Sequence, residues 1–503
     1  MKLANMKLSI PAVLAGAASF VAALSADEWS KQSVYQVLTD RFARTDGSVS
    51  AACDASAAQY CGGSFSGLTK KLDYIQAMGF TAIWISPIVA NIEVPSNSGW
   101  GQAYHGFWAQ KIWSINNRFG TADDLKELSQ ALHDRGMYLM VDIVTNHMGY
   151  NGCGNCVDYS TFDAFSDSSY FHDFCLIDYS DEWSSNIQTC WEGDNTISLP
   201  DIRTEDGDVR SIWFDWIEQI VSNYSIDGLR IDSAKHIEKS FHAPFEEAAG
   251  VYTIGEVLNG DPSFTFPYQD EMSGVLNYPM YYWLKRAFGS TSGDFTELAT
   301  GIERVKNEAV NSSLLGTFME NHDQDRFPSI TSDTALNRNA IAFTILQDGI
   351  PIIFQGQEQF YSGNDQTGRA AVWLSGFNTS NQWYKLIASL NQIRNQAIYK
   401  GSSYVTYKAW LPYTDTSTIV MRKGFDGNQI ISVLSKTGAS AADKTLSLTK
   451  SVTGFTANQN VVEILTCKTS TTDSSGSLSV TISQGKPLVF YPKSQISGSD
   501  ICA

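Results

Sequence analysis

A chain of 503 residues with 53 acidic against 35 basic side chains, a net charge of −18, repels nucleic acid and anionic membrane surfaces. It is long enough for a large core and more than one domain, and its charge is compatible with a neutral substrate. Aromatic residues make up 12 % of it, which permits stacking on a ligand, although most of them serve a core.

Lys2 and Lys7 precede an apolar run over residues 10–24 that exits through Leu24-Ser25-Ala26, so residues 1–26 read as a secretory signal. The run is short for a membrane span and lacks a basic flank, and no later segment is apolar enough to cross a bilayer. All eight cysteines follow the signal: Cys53, Cys61, Cys153, Cys156, Cys175, Cys190, Cys467 and Cys502. An even count in an exported chain favours disulfides. The Cys153–Cys156 pair has no second CxxC or His pair to complete a zinc set and no βαβ context for redox work, so a structural bridge is expected. Asn223, Asn311 and Asn378 begin glycosylation sequons.

Strand patterns fall at residues 34–38, 82–85, 138–143, 228–232, 253–256, 275–278, 315–320 and 351–354, separated by amphipathic stretches such as 121–135 and 210–222. Thr121 with Asp124 forms a capping box at the first of these. Eight strands alternating with helices predict a closed (β/α)8 TIM barrel. Residues 147–201 show no long helical period and are rich in Gly, Asn, Asp, Ser and Cys. That length is too great for a plain loop and predicts a small inserted domain after strand three. Beyond about residue 406 the pattern turns to alternation with Ser/Thr/Gly/Asn turns, predicting a C-terminal antiparallel β-sandwich domain. The expected division is 27–146 with 202–405 as the barrel, 147–201 as the insertion and 406–503 as the β domain.

A barrel places its chemistry at the C-terminal ends of its strands. Four of them carry polar clusters here: Asp142 to His147, Arg230 to His236, Glu256, and Glu320-Asn321-His322-Asp323. One carboxylate after a strand is usually a cap or a surface ion pair, but four clusters on one rim are not. Cleaving a glycosidic bond needs an acid for the departing oxygen and a carboxylate facing the anomeric carbon. Arg230 and Asp232 are two residues apart on a strand and share a face, so the cation keeps Asp232 ionised and nucleophilic. Glu256 is then the group that stays protonated, and Asp323 beside His322 the stabiliser of developing positive charge.

Taken in order, Asp142–His147, Gly228–His236, Gly255–Gly260 and Phe318–Asp323 resemble the four short motifs of the α-amylase family, closest to its secreted fungal members, over essentially the whole chain after the signal. The resemblance implies endo-hydrolysis of internal α-1,4 bonds in starch and related α-glucans with retention of configuration, Asp232 as nucleophile, Glu256 as acid/base and Asp323 as transition-state stabiliser. It assigns Tyr104, His105, Trp108, His147, Arg230, Lys235, His236, Gly260, His322, Asp365 and Arg369 to substrate. Relatives commonly carry Tyr where this chain has Phe107. Stacking should survive that change while a hydroxyl contact is lost. His133, His172 and His242 read as ordinary surface or packing residues.

The resemblance also implies a Ca²⁺ held by the side chains of Asn146 and Asp201 and the carbonyls of Gln188 and His236, oxygen ligands of the kind this cation prefers. It leads to the pairs Cys53–Cys61, Cys153–Cys156, Cys175–Cys190 and Cys467–Cys502. The expected protein is a secreted monomer with an α-glucan as its partner, and with neither nucleic acid nor membrane. Two competing readings are an α-glucosidase or transglycosylase of the same superfamily, and a non-catalytic glucan-binding protein. The second would have lost catalytic carboxylates that are all present here.

Overall fold

The computed structural model describes residues 24–95, 101–181 and 183–502. Most of the expected secretory signal, residues 1–23, lies outside them. Eight parallel strands form one sheet: β1 Val34–Val37, β2 Ala82–Ile85, β3 Tyr138–Ile143, β4 Gly228–Ile231, β5 Tyr252–Gly255, β6 Gly274–Val275, β7 Gly316–Thr317 and β8 Ile350–Phe354. Each pairs with its sequence neighbour and β1 pairs with β8. A parallel bridge between Leu276 and Gly316 joins β6 to β7 and closes the barrel.

The two-residue period of a strand sorts the side chains. Val34, Ala82, Met140, Tyr252, Ile254 and Ile352 point inward and pack in one cluster with Trp29 and Trp84. Tyr35, Val37, Ile83, Ile85, Leu139, Val141, Leu229 and Ile231 point outward under the helices. Gly228 occupies an inward position because a Cβ there would lie 2.5 Å from the Trp29 indole. That indole closes the bottom of the barrel, and its Nε1 donates to the Asp227 carbonyl at 3.0 Å.

The helix Ala122–His133 buries Leu125, Leu128 and Leu132 and starts on the Thr121–Asp124 capping box. The helix Gly207–Tyr224 extends the expected stretch by several residues at its N-terminal end. Strands β6 and β7 are shorter than the sequence pattern suggests. After Val275 the chain leaves the ladder because Asn277 caps the helix Tyr278–Phe288, so Tyr278 is helical and not a strand residue. After Thr317 the chain leaves the ladder, and Glu320 pairs with Arg326 and accepts from the Phe327 N–H.

Between β3 and the helix Gly207–Tyr224 lies a three-stranded antiparallel sheet of Tyr150–Asn151, Ile197–Leu199 and Glu192–Gly193, joined by 3₁₀ turns. The chain from Trp410 to Pro492 forms a six-stranded antiparallel sheet and a two-stranded one, Lys444–Leu448 with Leu478–Ile482. Val420, Ile431, Val433, Leu448, Phe455, Leu478, Val480 and Phe490 fill the space between them. Disulfides join Cys53 to Cys61, Cys153 to Cys156, Cys175 to Cys190 and Cys467 to Cys502. The three sequon asparagines are exposed, and among the described residues no helix is long and apolar enough to cross a membrane.

Candidate active site

The inward series that is apolar at the bottom of the barrel turns polar one layer up. Gln36, Trp84, Asp142 and Arg230 each follow an inward residue by two positions. Arg230 is fully buried and organises the layer: Nη1 lies 2.8 Å from Asp142 Oδ1 and 2.6 Å from Asp232 Oδ1. Nη2 lies 2.8 Å from Glu256 Oε2, an ion pair without hydrogen-bond alignment. Trp84 Nε1 donates to Asp142 Oδ2 at 3.0 Å, which fixes the carboxylate behind the arginine.

The three expected catalytic carboxylates, Asp232, Glu256 and Asp323, face one cleft of ≈ 360 Å³, with His105, Phe107, Trp108, His147, His322 and Arg369 around them. Burial pushes the Glu256 carboxyl up to about 7, and the neighbouring Asp232 and Asp323 reinforce this against Arg230. Ser233 N–H donates to Glu256 Oε2 at 3.1 Å. Burial works against an ionised Asp323 too, but His322 and Arg369, at 3.0 and 3.3 Å, hold it well below the usual carboxylate range. Gln36 Nε2 donates to His322 Nδ1 at 2.7 Å, so the ring presents its Nε2–H to Asp323. The cleft thus sets a carboxyl held toward its protonated form, Glu256, beside one held charged, Asp323.

The remaining residues expected at the site divide into two groups. His105, Trp108, His147, His322 and Arg369 line the cleft. Tyr104 stands behind Arg369, its hydroxyl 3.4 Å from Nη1, with the Arg41 guanidinium stacked on its ring. Lys235 Nζ donates to the Leu258 carbonyl at 3.0 Å, and His236 meets the Tyr179 ring edge-on. Gly260 leaves room for the Tyr282 ring, 2.9 Å from where a Cβ would be. Asp365 is an exposed residue on the Arg369 side. Phe107, where a hydroxyl is missing, stacks on His322 with centroids 5.2 Å apart.

Sequence reasoning missed Glu192. Its Oε2 accepts from Ser233 Oγ at 2.8 Å and lies 3.2 Å from His147 Nδ1, while Oε1 lies 3.3 Å from His236 Nε2. Burial opposes charge on both partners, yet the pairing holds Glu192 down to about 2 and His147 above its ordinary value. Glu192, His147 and Asp232 bring ligand-type atoms within 4.8 Å of one another, a different set from the one expected for calcium.

The residues expected at calcium lie on two pairs of neighbouring segments. Asn146 and Asp201 are both buried, and an antiparallel bridge joins His147 to Asp201. Gln188 Nε2 donates to the Ile237 carbonyl, setting the two carbonyl-bearing segments side by side. Asp201 Oδ1 is buried without a hydrogen-bond partner, and burial pushes the carboxyl up to about 7. A buried carboxylate oxygen without a partner fits a cation such as Ca²⁺. His172, read from sequence as an ordinary surface or packing residue, lies with its Nδ1 2.7 Å from Asp201 Oδ2 and orients that carboxylate.

Comparison with known proteins decides the family. The family model for the α-amylase catalytic domain matches residues 36–464. The chain belongs to the α-amylase family. It is similar to α-amylase 2 of Schwanniomyces occidentalis, 54% identical over 480 residues covering 95% of this chain and 93% of that protein. The Saccharomycopsis fibuligera α-amylase is 49% identical over 508 residues, 99% of this chain and all of that one. Among solved structures, an α-amylase from Malbranchea cinnamomea superposes with a TM-score of 0.91 at 46% identity, covering 95% of this chain and 100% of that one. The family's activity, endo-hydrolysis of starch-type α-glucans, is the activity of this chain.

Proposed function

We infer that this family member cuts internal α-1,4 bonds by double displacement, with Asp232 attacking the anomeric carbon and Glu256 protonating the departing oxygen. The observation that carries this reading is that both carboxylates rest on one guanidinium, that of Arg230. Carboxyl groups that close leave no space for the water that an inverting enzyme holds between its base carboxylate and the anomeric carbon. In the second step Glu256 takes a proton from water, which opens the glycosyl ester and restores the acid. Asp323 stays charged and stabilises the oxocarbenium-like transition state through hydrogen bonds to sugar hydroxyls. His105, His147 and His322 orient those hydroxyls. Digestion of soluble starch followed by chromatography tests the endo reading: a ladder of oligosaccharides supports it, and release of glucose alone makes the chain an α-glucosidase.

The acid role sets the pH profile. kcat/KM should fall as pH rises through about 7, where Glu256 loses its proton. Glu256→Gln should abolish that limb and lose most activity on starch, while sparing the first step with activated leaving groups. A stopped-flow burst with an aryl glycoside checks this. The same group acts on stability: its folded value is raised above the ordinary 4.5. Its favourable contribution is therefore complete below that value and is lost as pH rises through about 7.

We further infer that Asn146, Asp201 and the carbonyls of Gln188 and His236 hold Ca²⁺. When bound, the ion supplies hard-cation charge that ties the inserted segment to β3 and to the loop after β4. Calcium at a hundredfold excess over its Kd should stabilise the fold by about 2.7 kcal/mol. A chelator should lower Tm, and Asp201→Ala should remove the calcium-dependent rise. A stripped sample that melts unchanged would reject the site. The disulfides and the similarity to fungal amylases support secretion, with residues 1–26 as the signal and 147–201 as the inserted domain.

A further inference from the structure

We propose that the groove between Trp183 and the short helix Pro262–Thr265 is an additional sugar-binding site. Its ligand is the reducing-end portion of an α-1,4-glucan, several glucose units beyond the bond being cut. The proposal rests on the roles given above to Asp232 and Glu256 and extends that cleft outward.

Position comes first. Glu256 protonates the departing oxygen, so the leaving chain lies on the Glu256 side. From Glu256 the backbone runs through Leu258, whose carbonyl takes the Lys235 ammonium at 3.0 Å, and on to the helix Pro262–Thr265. The opposite wall comes from the inserted segment. Tyr179 lines the catalytic cleft and stands edge-on to His236, ring centroids 6.0 Å apart. Four residues farther along the same segment, Trp183 stands edge-on to Phe264 at 4.8 Å and 81°. The path from the cut bond therefore passes Tyr179 and His236 before reaching Trp183 and Phe264.

Chemistry comes second. Trp183 is 69% exposed, the most exposed tryptophan among the described residues. An edge-to-face contact with Phe264 covers at most one face of the indole, so the other stays available. Beneath it is a hollow of ≈ 360 Å³ whose floor is Phe264 and Tyr268 and whose rim carries Ser184, Gln188, Lys239 and Ser263. That volume falls within the usual range of about 300–1,000 Å³ for small-ligand sites. A pyranose has an apolar C–H face surrounded by hydroxyls. An aromatic platform ringed by hydroxyl, amide and ammonium groups matches it. Lys239 Nζ sits 4.6 Å from the Tyr268 ring centroid, which holds this donor over the hollow.

The test compares Trp183→Ala, Trp183→Phe and the unaltered full-length chain on maltotriose and on reducing-end-labelled maltoheptaose. Losing the platform should raise KM for maltoheptaose about three- to tenfold with kcat little changed. The preferred cut should move toward the labelled end, giving shorter labelled fragments. Maltotriose is too short to reach Trp183 from the cut bond, so its kcat/KM should be unchanged, and Trp183→Phe should retain most of the wild-type pattern. Unmoved cleavage frequencies in Trp183→Ala would overturn the proposal, as would an equal loss on both substrates, which marks a structural role. Failure of the amylase reading looks different, because the unaltered chain would then make no internal cuts.

Discussion

Asp232→Asn is expected to lower kcat by about four orders of magnitude or more on every substrate, including glycosides with activated leaving groups. The amide keeps the shape of the side chain and its contacts to Arg230 Nη1, at 2.6 Å, and to Ser233 Oγ, at 3.0 Å. Folding should therefore be nearly unaffected, and the loss is chemical: no nucleophile, no glycosyl ester. This separates Asp232 from Glu256, whose amide variant still forms the intermediate from an activated glycoside. Mass spectrometry after mixing with a slow fluorinated substrate should show a glycosyl adduct on the wild-type chain and none on Asp232→Asn. Product stereochemistry checks the same claim, because two inversions release an α reducing end. NMR that finds the β anomer first would exclude Asp232 as the nucleophile.

Glu320→Ala should be the costliest single substitution for stability near the site, at about 3–5 kcal/mol. Glu320 and Arg326 are both fully buried, with Oε1 and Nη1 2.8 Å apart. Glu320 Oε2 also accepts from Phe327 N–H at 2.7 Å. The guanidinium is held on its other sides by the Gly368 and Gln355 carbonyls and lies 3.9 Å from the Phe354 ring centroid. Truncating the acid leaves a buried cation whose carbonyl partners cannot neutralise it. The damage should reach catalysis as well, because Glu320 anchors the segment that presents His322 and Asp323. Thermal unfolding of Glu320→Ala, Arg326→Met and the double variant measures the coupling. A double variant as costly as the two single losses combined would show that the pair does not act as a unit.

The way the site was legible in the sequence follows from strand geometry. Arg230 and Asp232 share a face because side chains alternate along a strand, and the same rule puts Gln36 above Val34 and Asp142 above Met140. Strand ends at a barrel rim face a common centre, so residues far apart in sequence could be assigned to one site without knowing any distance. Glu192 had no such signal. It lies in a two-residue strand of the inserted sheet, and its partners His147, Ser233 and His236 are more than forty residues away. An acidic residue two positions after a cysteine in a loop-rich segment looks like any solvated one. Trp183 escaped for the same reason: its meaning depends on facing Phe264 across a groove between two separately folded pieces.

Local periodicity and short-range chemistry therefore determined the barrel, the capping of its helices, the position of the insertion and the inward-facing carboxylates. These depend on neighbours within a few residues along one strand or one helical turn. The state of each carboxylate was decided only in three dimensions. Burial, with Asp232 and Asp323, raises Glu256 to about 7 against Arg230 at 2.8 Å, and His322 and Arg369, at 3.0 and 3.3 Å, keep Asp323 ionised against burial. Desolvation and charge pairing act through space, and closure of the barrel by the Leu276–Gly316 bridge brings those groups together.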